Sequence, residues 1–90
     1  MCKSMCKLEK ILKALANRRR LAILKYLKEN KEAPVAEIAG EINLSFKATS
    51  KHLGVLSAVD IIEREQRSLQ MFYHLSAEQE PPAKYIISIL

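Results

Sequence analysis

The sequence has no tryptophan, two glycines, three prolines and two cysteines among 90 residues. So few chain breakers exclude long flexible linkers and low-complexity segments, and an almost fully ordered globular chain is expected. Both cysteines, Cys2 and Cys6, lie in the first six residues. A disulfide there staples only a fraying end, so a reduced pair is expected. No apolar run approaches the ~18 residues needed to cross a bilayer. MCKSMCKLEK also lacks the apolar centre of a secretory signal. A cytoplasmic protein without membrane contact is expected.

Chemistry-bearing clusters are equally scarce. Cys2 and Cys6, spaced i, i+4, are half of a soft-metal site, but tetrahedral zinc takes about four ligands and no further Cys or His is near. No metal or other cofactor is expected. There is no Gly-rich phosphate loop, no His grouped with carboxylates and no Cys near a His, so an enzyme is not expected. Glu37 and Glu41 are most simply the solvated face of a helix.

The most informative scarcity is local: no acidic side chain occurs between Glu41 and Asp60. That window holds LSFKATSKHLGVL, Leu44 to Leu56, with Ser45 as a good N-cap. On a 3.6-residue period Thr49, His52, Leu53 and Leu56 fall on one side, and Phe46, Lys47, Ser50, Lys51 and Gly54 on the other. One side packs; the basic, hydroxylated side is offered to a partner, and a DNA-reading helix is expected. The net charge of +5 favours an anionic partner in general.

With 90 residues there is room for one domain, 1–90, whose small core would benefit from a second copy. Leu8, Ile11, Leu12 and Leu15 define an amphipathic helix ending near Ala16. Asn17 is a plausible N-cap for a second, from Arg18 to about Lys28, with Leu21, Ile23, Leu24 and Leu27 apolar. Arg18, Arg19 and Arg20 crowd its first turn, where the helix dipole disfavours positive charge. Arg20 is read as solvated, laid over apolar neighbours or paired with acids such as Glu9. For Arg18 and Arg19 that reading and a DNA-phosphate contact stand open.

Glu29 to Ala33 is expected to be a loop, and Pro34 suits the first position of a short helix burying Val35, Ile38, Ala39 and Ile42. Asn43 stands where the chain turns sharply and is expected to be left-handed. Helix, Asn turn, capped helix is a helix-turn-helix. Asp60 is expected to take the left-handed end position after the next helix. Ile61 to Glu65 and Leu69 to Leu75 then read as strands of a hairpin turning at Gln66, Arg67 and Ser68, with Leu69, Met71, Tyr73 and Leu75 on one side. KYIISIL closes the chain as a helix from about Pro82, apolar nearly all round. Packing on its own domain is one explanation. The preferred one is a homodimer whose seam holds Leu8, Ile11 and Leu12 with Tyr85, Ile86, Ile89 and Leu90. The architecture is therefore mainly α with a small β-hairpin, in the order α-α-α-α-β-β-α: residues 8–75 as core and 82–90 as terminal dimerisation helix.

This order, with LKALANRRRLAILKYL (Leu12 to Leu27), AEIAGEINLS (Ala36 to Ser45), ATSKHLGVL (Ala48 to Leu56) and MFYHL (Met71 to Leu75), resembles the ArsR family of winged-helix repressors. The resemblance implies a sequence-specific regulator of transcription, a repressor, bound as a homodimer to an inverted repeat in double-stranded DNA. It places Ser45, Phe46, Lys47, Ser50 and Lys51 in the major groove, and Arg64 and Arg67 at the minor groove or its phosphates. It makes His52 a packing and hydrogen-bonding residue. Many members sense metals through two cysteines on the first helix of the helix-turn-helix, where this sequence has Pro34 and Ala36. Others use Asp and His on the terminal helix, and KYIISIL has neither. Both sensor sites are therefore missing, and no effector ligand is implied. The competing expectation is a protein-interaction adaptor without specific DNA binding, because only Lys47 and Lys51 are charged on the reading helix.

Overall fold

In a computed structural model describing the backbone of residues 2–90 and the side chains of residues 5–90, helix α1 (Cys2–Leu15) is followed after a two-residue break by α2 (Arg18–Asn30). Asn17 makes the break: its extended backbone stops α1, and its side-chain oxygen accepts from the amides of Arg19 and Arg20 at 2.9 and 3.2 Å. Two of the orphan N–H groups at the start of α2 are thereby satisfied.

The three-arginine run then finds an unexpected use. Arg20 donates from Nε to the Ala14 carbonyl at 2.6 Å and from Nη2 to the Lys13 carbonyl at 3.2 Å. Arg19 donates from Nη1 to the Ile42 carbonyl at 2.7 Å. Each guanidinium thus closes the C-terminus of another helix, where leftover carbonyls and the negative dipole end favour a cation. Arg20 is structural, as read from sequence, but its partners are helix carbonyls and not Glu9, which pairs instead with Lys13 at 3.6 Å.

The segment expected to be a loop contains a strand, β1 (Glu32–Pro34), which leads into α3 (Val35–Ile42). After α4 (Phe46–Ala58) come β2 (Ile62–Arg67) and β3 (Gln70–Leu75), then α5 (Pro81–Ser88). The sheet is three-stranded and antiparallel in the order β1-β3-β2. The order of elements is therefore α-α-β-α-α-β-β-α. Three residues are too short for a periodic signal; β1 exists because the outer edge of β3 is there to pair with Glu32 to Pro34. Pro34, which has no N–H to donate, suits an edge strand, and Ala33 is fully buried.

The hairpin is tighter than expected. Arg67 pairs with Gln70, leaving Ser68 and Leu69 as its turn, with Ser68 at φ 56°. Leu69, expected to open the second strand on one side with Met71, Tyr73 and Leu75, lies in the turn and is 97% exposed at the tip. Asp60 has the expected left-handed φ, 59°.

One core cluster joins Ile11, Ala14 and Leu15 of α1, Ile23, Leu24 and Leu27 of α2, Ile38 and Ile42 of α3, Leu53 and Leu56 of α4, Ile62 and Tyr73 of the sheet, and Ala83 and Ile87 of α5. In α5 and the two residues after it, Ala83 and Ile87 pack inward, Ile86 and Leu90 are half-buried, and Tyr85 and Ile89 face out. Ile11, assigned from sequence to a dimer seam, is only 3% exposed. It belongs to the chain's own core, because the α1 face carrying Ile11, Ala14 and Leu15 is the one that meets the domain.

Between α3 and α4, Asn43 adopts φ 57°, ψ 48°, the left-handed conformation, and donates its N–H to the Ala39 carbonyl. An L-residue with an ordinary Cβ pays for that conformation, Asn less than most. Asn43→Ala should lower stability by about 1–2 kcal/mol, whereas Asn43→Gly should stay close to neutral, both read from urea unfolding midpoints.

Candidate nucleic-acid interface

The outward side of α4 is built from its N-terminus. Ser45, extended at φ −66°, ψ 158°, accepts the Ala48 amide on Oγ at 3.1 Å and so starts the helix. The Ser45 side chain expected at the major groove therefore serves as the cap. Buried Thr49, Leu53 and Leu56 hold one side of α4 to the core. By helical spacing this turns Lys47 and Lys51 outward, both exposed, with Phe46 beside them at 61% exposure and Ser50 half-buried at the edge. Among the described residues neither lysine has a carboxylate within ion-pair distance. Two adjacent, solvated, uncompensated ammonium groups are well suited to an anionic polymer.

The hairpin adds a third cation. Arg64 is exposed, has no ion-pair partner among the described residues, and lines the same shallow depression as Gly54, Ser57 and Ala58 of α4. Arg67, expected beside it at a groove, is differently placed. Its guanidinium donates twice to Glu32, from Nη1 at 2.7 Å and from Nη2 at 2.8 Å, and also to Glu65 from Nη2 at 2.7 Å. It lies over the Phe72 ring at 4.8 Å. The Glu32 carboxyl is held below the usual carboxylate range by that arginine.

His52 has the packing and hydrogen-bonding place expected of it. It is half-buried on α4, with Nδ1 3.3 Å from Arg20 Nη1. The arginine that closes α1 therefore also touches α4. Sequence reasoning missed this link; the signal is the Arg run after a helix-ending Asn, readable only once the neighbouring helix ends are placed.

Cys6 is exposed, and the side chain of Cys2 lies outside the described residues. Among the described residues no group of three or more His, Cys, Asp or Glu gathers in a metal-binding arrangement. No helix among them is long and apolar enough to cross a membrane.

A short helix, a left-handed turn, a capped helix with a cationic outer side and a flanking hairpin define a winged helix-turn-helix domain. Residues 15–65 match the family model described as a helix-turn-helix domain. The transcriptional activator HlyU of Vibrio cholerae serotype O1 is 38% identical over 69 residues, which are 77% of this chain and 63% of that protein's length. The solved structure of HlyU from Vibrio cholerae N16961 superposes with a TM-score of 0.82 at 35% identity, covering 99% of this chain and 92% of that one. The homodimeric winged helix-turn-helix DNA-binding domain Mb0332 of Mycobacterium bovis, a possible ArsR-family regulator, shares the fold with a TM-score of 0.83 at 23% identity, over 98% of this chain and 78% of that one. The chain belongs to the helix-turn-helix family of that model and is a relative of the transcriptional regulator HlyU.

Burial, and next the positive charges of Arg20 and Arg19, hold the His52 imidazole below its ordinary pKa of 6.5. A folded-state pKa below the unfolded one means that the unfolded chain binds the proton more readily. The associated stability is present above the unfolded pKa of 6.5 and is lost as pH falls through the lower, folded-state pKa. Thermal midpoints measured between about pH 7.5 and about pH 5 should fall with acidity across this window, and His52→Gln should flatten that part of the curve.

Proposed function

We propose that this chain is a sequence-specific, double-stranded DNA-binding repressor that grips an inverted repeat as a homodimer and works in the cytoplasm, where such a target is reached. The observation that carries the proposal is the pair Lys47 and Lys51, without an ion-pair partner among the described residues, on the outer side of a capped helix, flanked by Phe46 and by Arg64 of the hairpin. Lys47 and Lys51 donate to guanine edges, Ser50 to several bases, and Phe46 meets a thymine methyl, each good pair contributing about 1–3 kcal/mol of discrimination. Arg64 contacts phosphate at the neighbouring groove.

Dimerisation is supported by an apolar groove along α1 lined by Met5, Leu8, Leu12 and, just past its end, Ala16, together with Tyr85 of α5 and Ile89 just after it, α5 being packed against α1. Leu12 is 48% exposed, Tyr85 66% and Ile89 62%, an unusual concentration of large apolar surface for a free helix pair. A two-fold pair presents two α4 helices, which sets half-sites about one helical turn or a multiple apart. Occupying an operator that overlaps a promoter excludes polymerase directly, which makes repression the simplest outcome. Activation, the sign in the name of the Vibrio cholerae relative, requires that a further protein be displaced or recruited.

Selection from random duplex should recover an inverted repeat, and affinity for it should fall with salt at a slope of about −0.9 per phosphate contact. Lys47→Glu with Lys51→Glu should abolish the gel shift and leave the protein dimeric in sedimentation, whereas Leu12→Glu with Ile89→Glu should yield monomers. A wild-type protein that binds random duplex as tightly as any selected site is not a site-specific repressor.

A further inference from the structure

We propose that Arg67 is a positioning residue, and that Arg67, Glu32 and Glu65 form a latch across the outer face of the sheet that sets the angle of the hairpin relative to the helix-turn-helix. The proposal rests on the DNA-binding reading above and reassigns one of its residues.

The latch follows from register. Arg67 is the last residue of β2 and stands opposite Gln70; Glu32 is the first residue of β1 and stands opposite His74. Because β3 lies between those strands, Arg67 must reach diagonally over β3 to meet Glu32. Phe72, midway between Gln70 and His74, points to the same face by the two-residue period of a strand. The guanidinium rests on its ring on the way. The fork ends in a bidentate pair with Glu32 while Glu65, two residues back, accepts from Nη2 and Nε at 2.7 and 3.2 Å.

Two consequences separate Arg67 from Arg64. First, one guanidinium facing two carboxylates leaves a local charge of −1, so a phosphate gains little there and must displace an existing partner. Second, Glu32 opens the strand that runs straight into α3, with Pro34 as the residue before that helix. The latch therefore ties the free end of the hairpin to the entry of the helix-turn-helix. Isolated exposed ion pairs are worth little; this one is bidentate, shared by two acids and stacked on a ring, the arrangement in which an arginine fork is geometrically specific.

The deciding variant is Glu32→Gln, because the two roles predict opposite signs. If Arg67 is a phosphate contact restrained by its carboxylates, removing Glu32 raises net charge, frees the guanidinium and tightens DNA binding. If Arg67 positions the hairpin, Glu32→Gln weakens binding by roughly threefold to tenfold with the salt slope unchanged. Arg67→Gln should do the same, whereas loss of a true phosphate contact lowers the slope by about 0.9. Arg67→Lys keeps the charge but not the fork, so positioning predicts a loss like that of Arg67→Gln and a phosphate contact predicts retention.

In free protein, amide exchange of residues 65–70 should quicken in all three variants. Tighter binding by Glu32→Gln, a shallower slope for Arg67→Gln, or unchanged exchange overturns the latch. A wild-type protein that shifts no duplex overturns the DNA-binding reading and with it the role in binding, while the exchange measurement still decides whether the latch holds the hairpin.

Discussion

Everything about the surface of this protein depends on the burial of one side of α4. Thr49, Leu53 and Leu56 are each fully buried, and a helix with three such anchors one turn apart has no freedom to roll. Whatever lies on the opposite side is therefore presented with fixed direction. Here that is Lys47 and Lys51, two cations with no acid opposite them among the described residues. Ser45 and Asn43 set where the helix begins, so the lysines are displayed in its first two turns, at the end that a major-groove reader would insert.

The same economy governs the helix ends. A run of arginines at the start of α2 is unfavourable for α2 alone, yet Arg19 and Arg20 each close the carbonyl end of a different helix. A local cost is offset by two non-local gains. Arg20 also touches His52 on α4, so α1, α2 and α4 meet at a single guanidinium. A similar device recurs on the sheet, where Arg67 gathers acids from β1 and β2 across β3. In both places a cation that composition alone would assign to an anionic partner is already engaged by the protein.

Periodicity and capping chemistry made most of the architecture legible. Leu, Ile and Val at helical spacing marked the helices, Asn17 and Ser45 their starts, Asn43 and Asp60 their left-handed ends, and alternation marked the hairpin. These are local signals, carried by residues within about one turn of each other. The exposed positions Phe46, Lys47 and Lys51 followed from the same period, because knowing which side of a helix is apolar also identifies its other side.

Partners distant in sequence were not legible. β1 is a strand only because β3 offers it an edge, so three residues with no pattern of their own gave no warning. Ile11 and Leu12 are neighbours of equal apolarity, and only the packing of α1 on the domain sends one inward and leaves the other 48% exposed. Arg64 and Arg67 look alike in the chain, three residues apart, yet one stands beside α4 with no ion-pair partner among the described residues and the other is bound to Glu32, 35 residues away. Residue order specified the elements and their faces, since hydrogen bonding and apolar period act over a few residues. The fold alone chose which cations stay available, since that depends on which carboxylates and carbonyls the chain brings within about 3 Å of them.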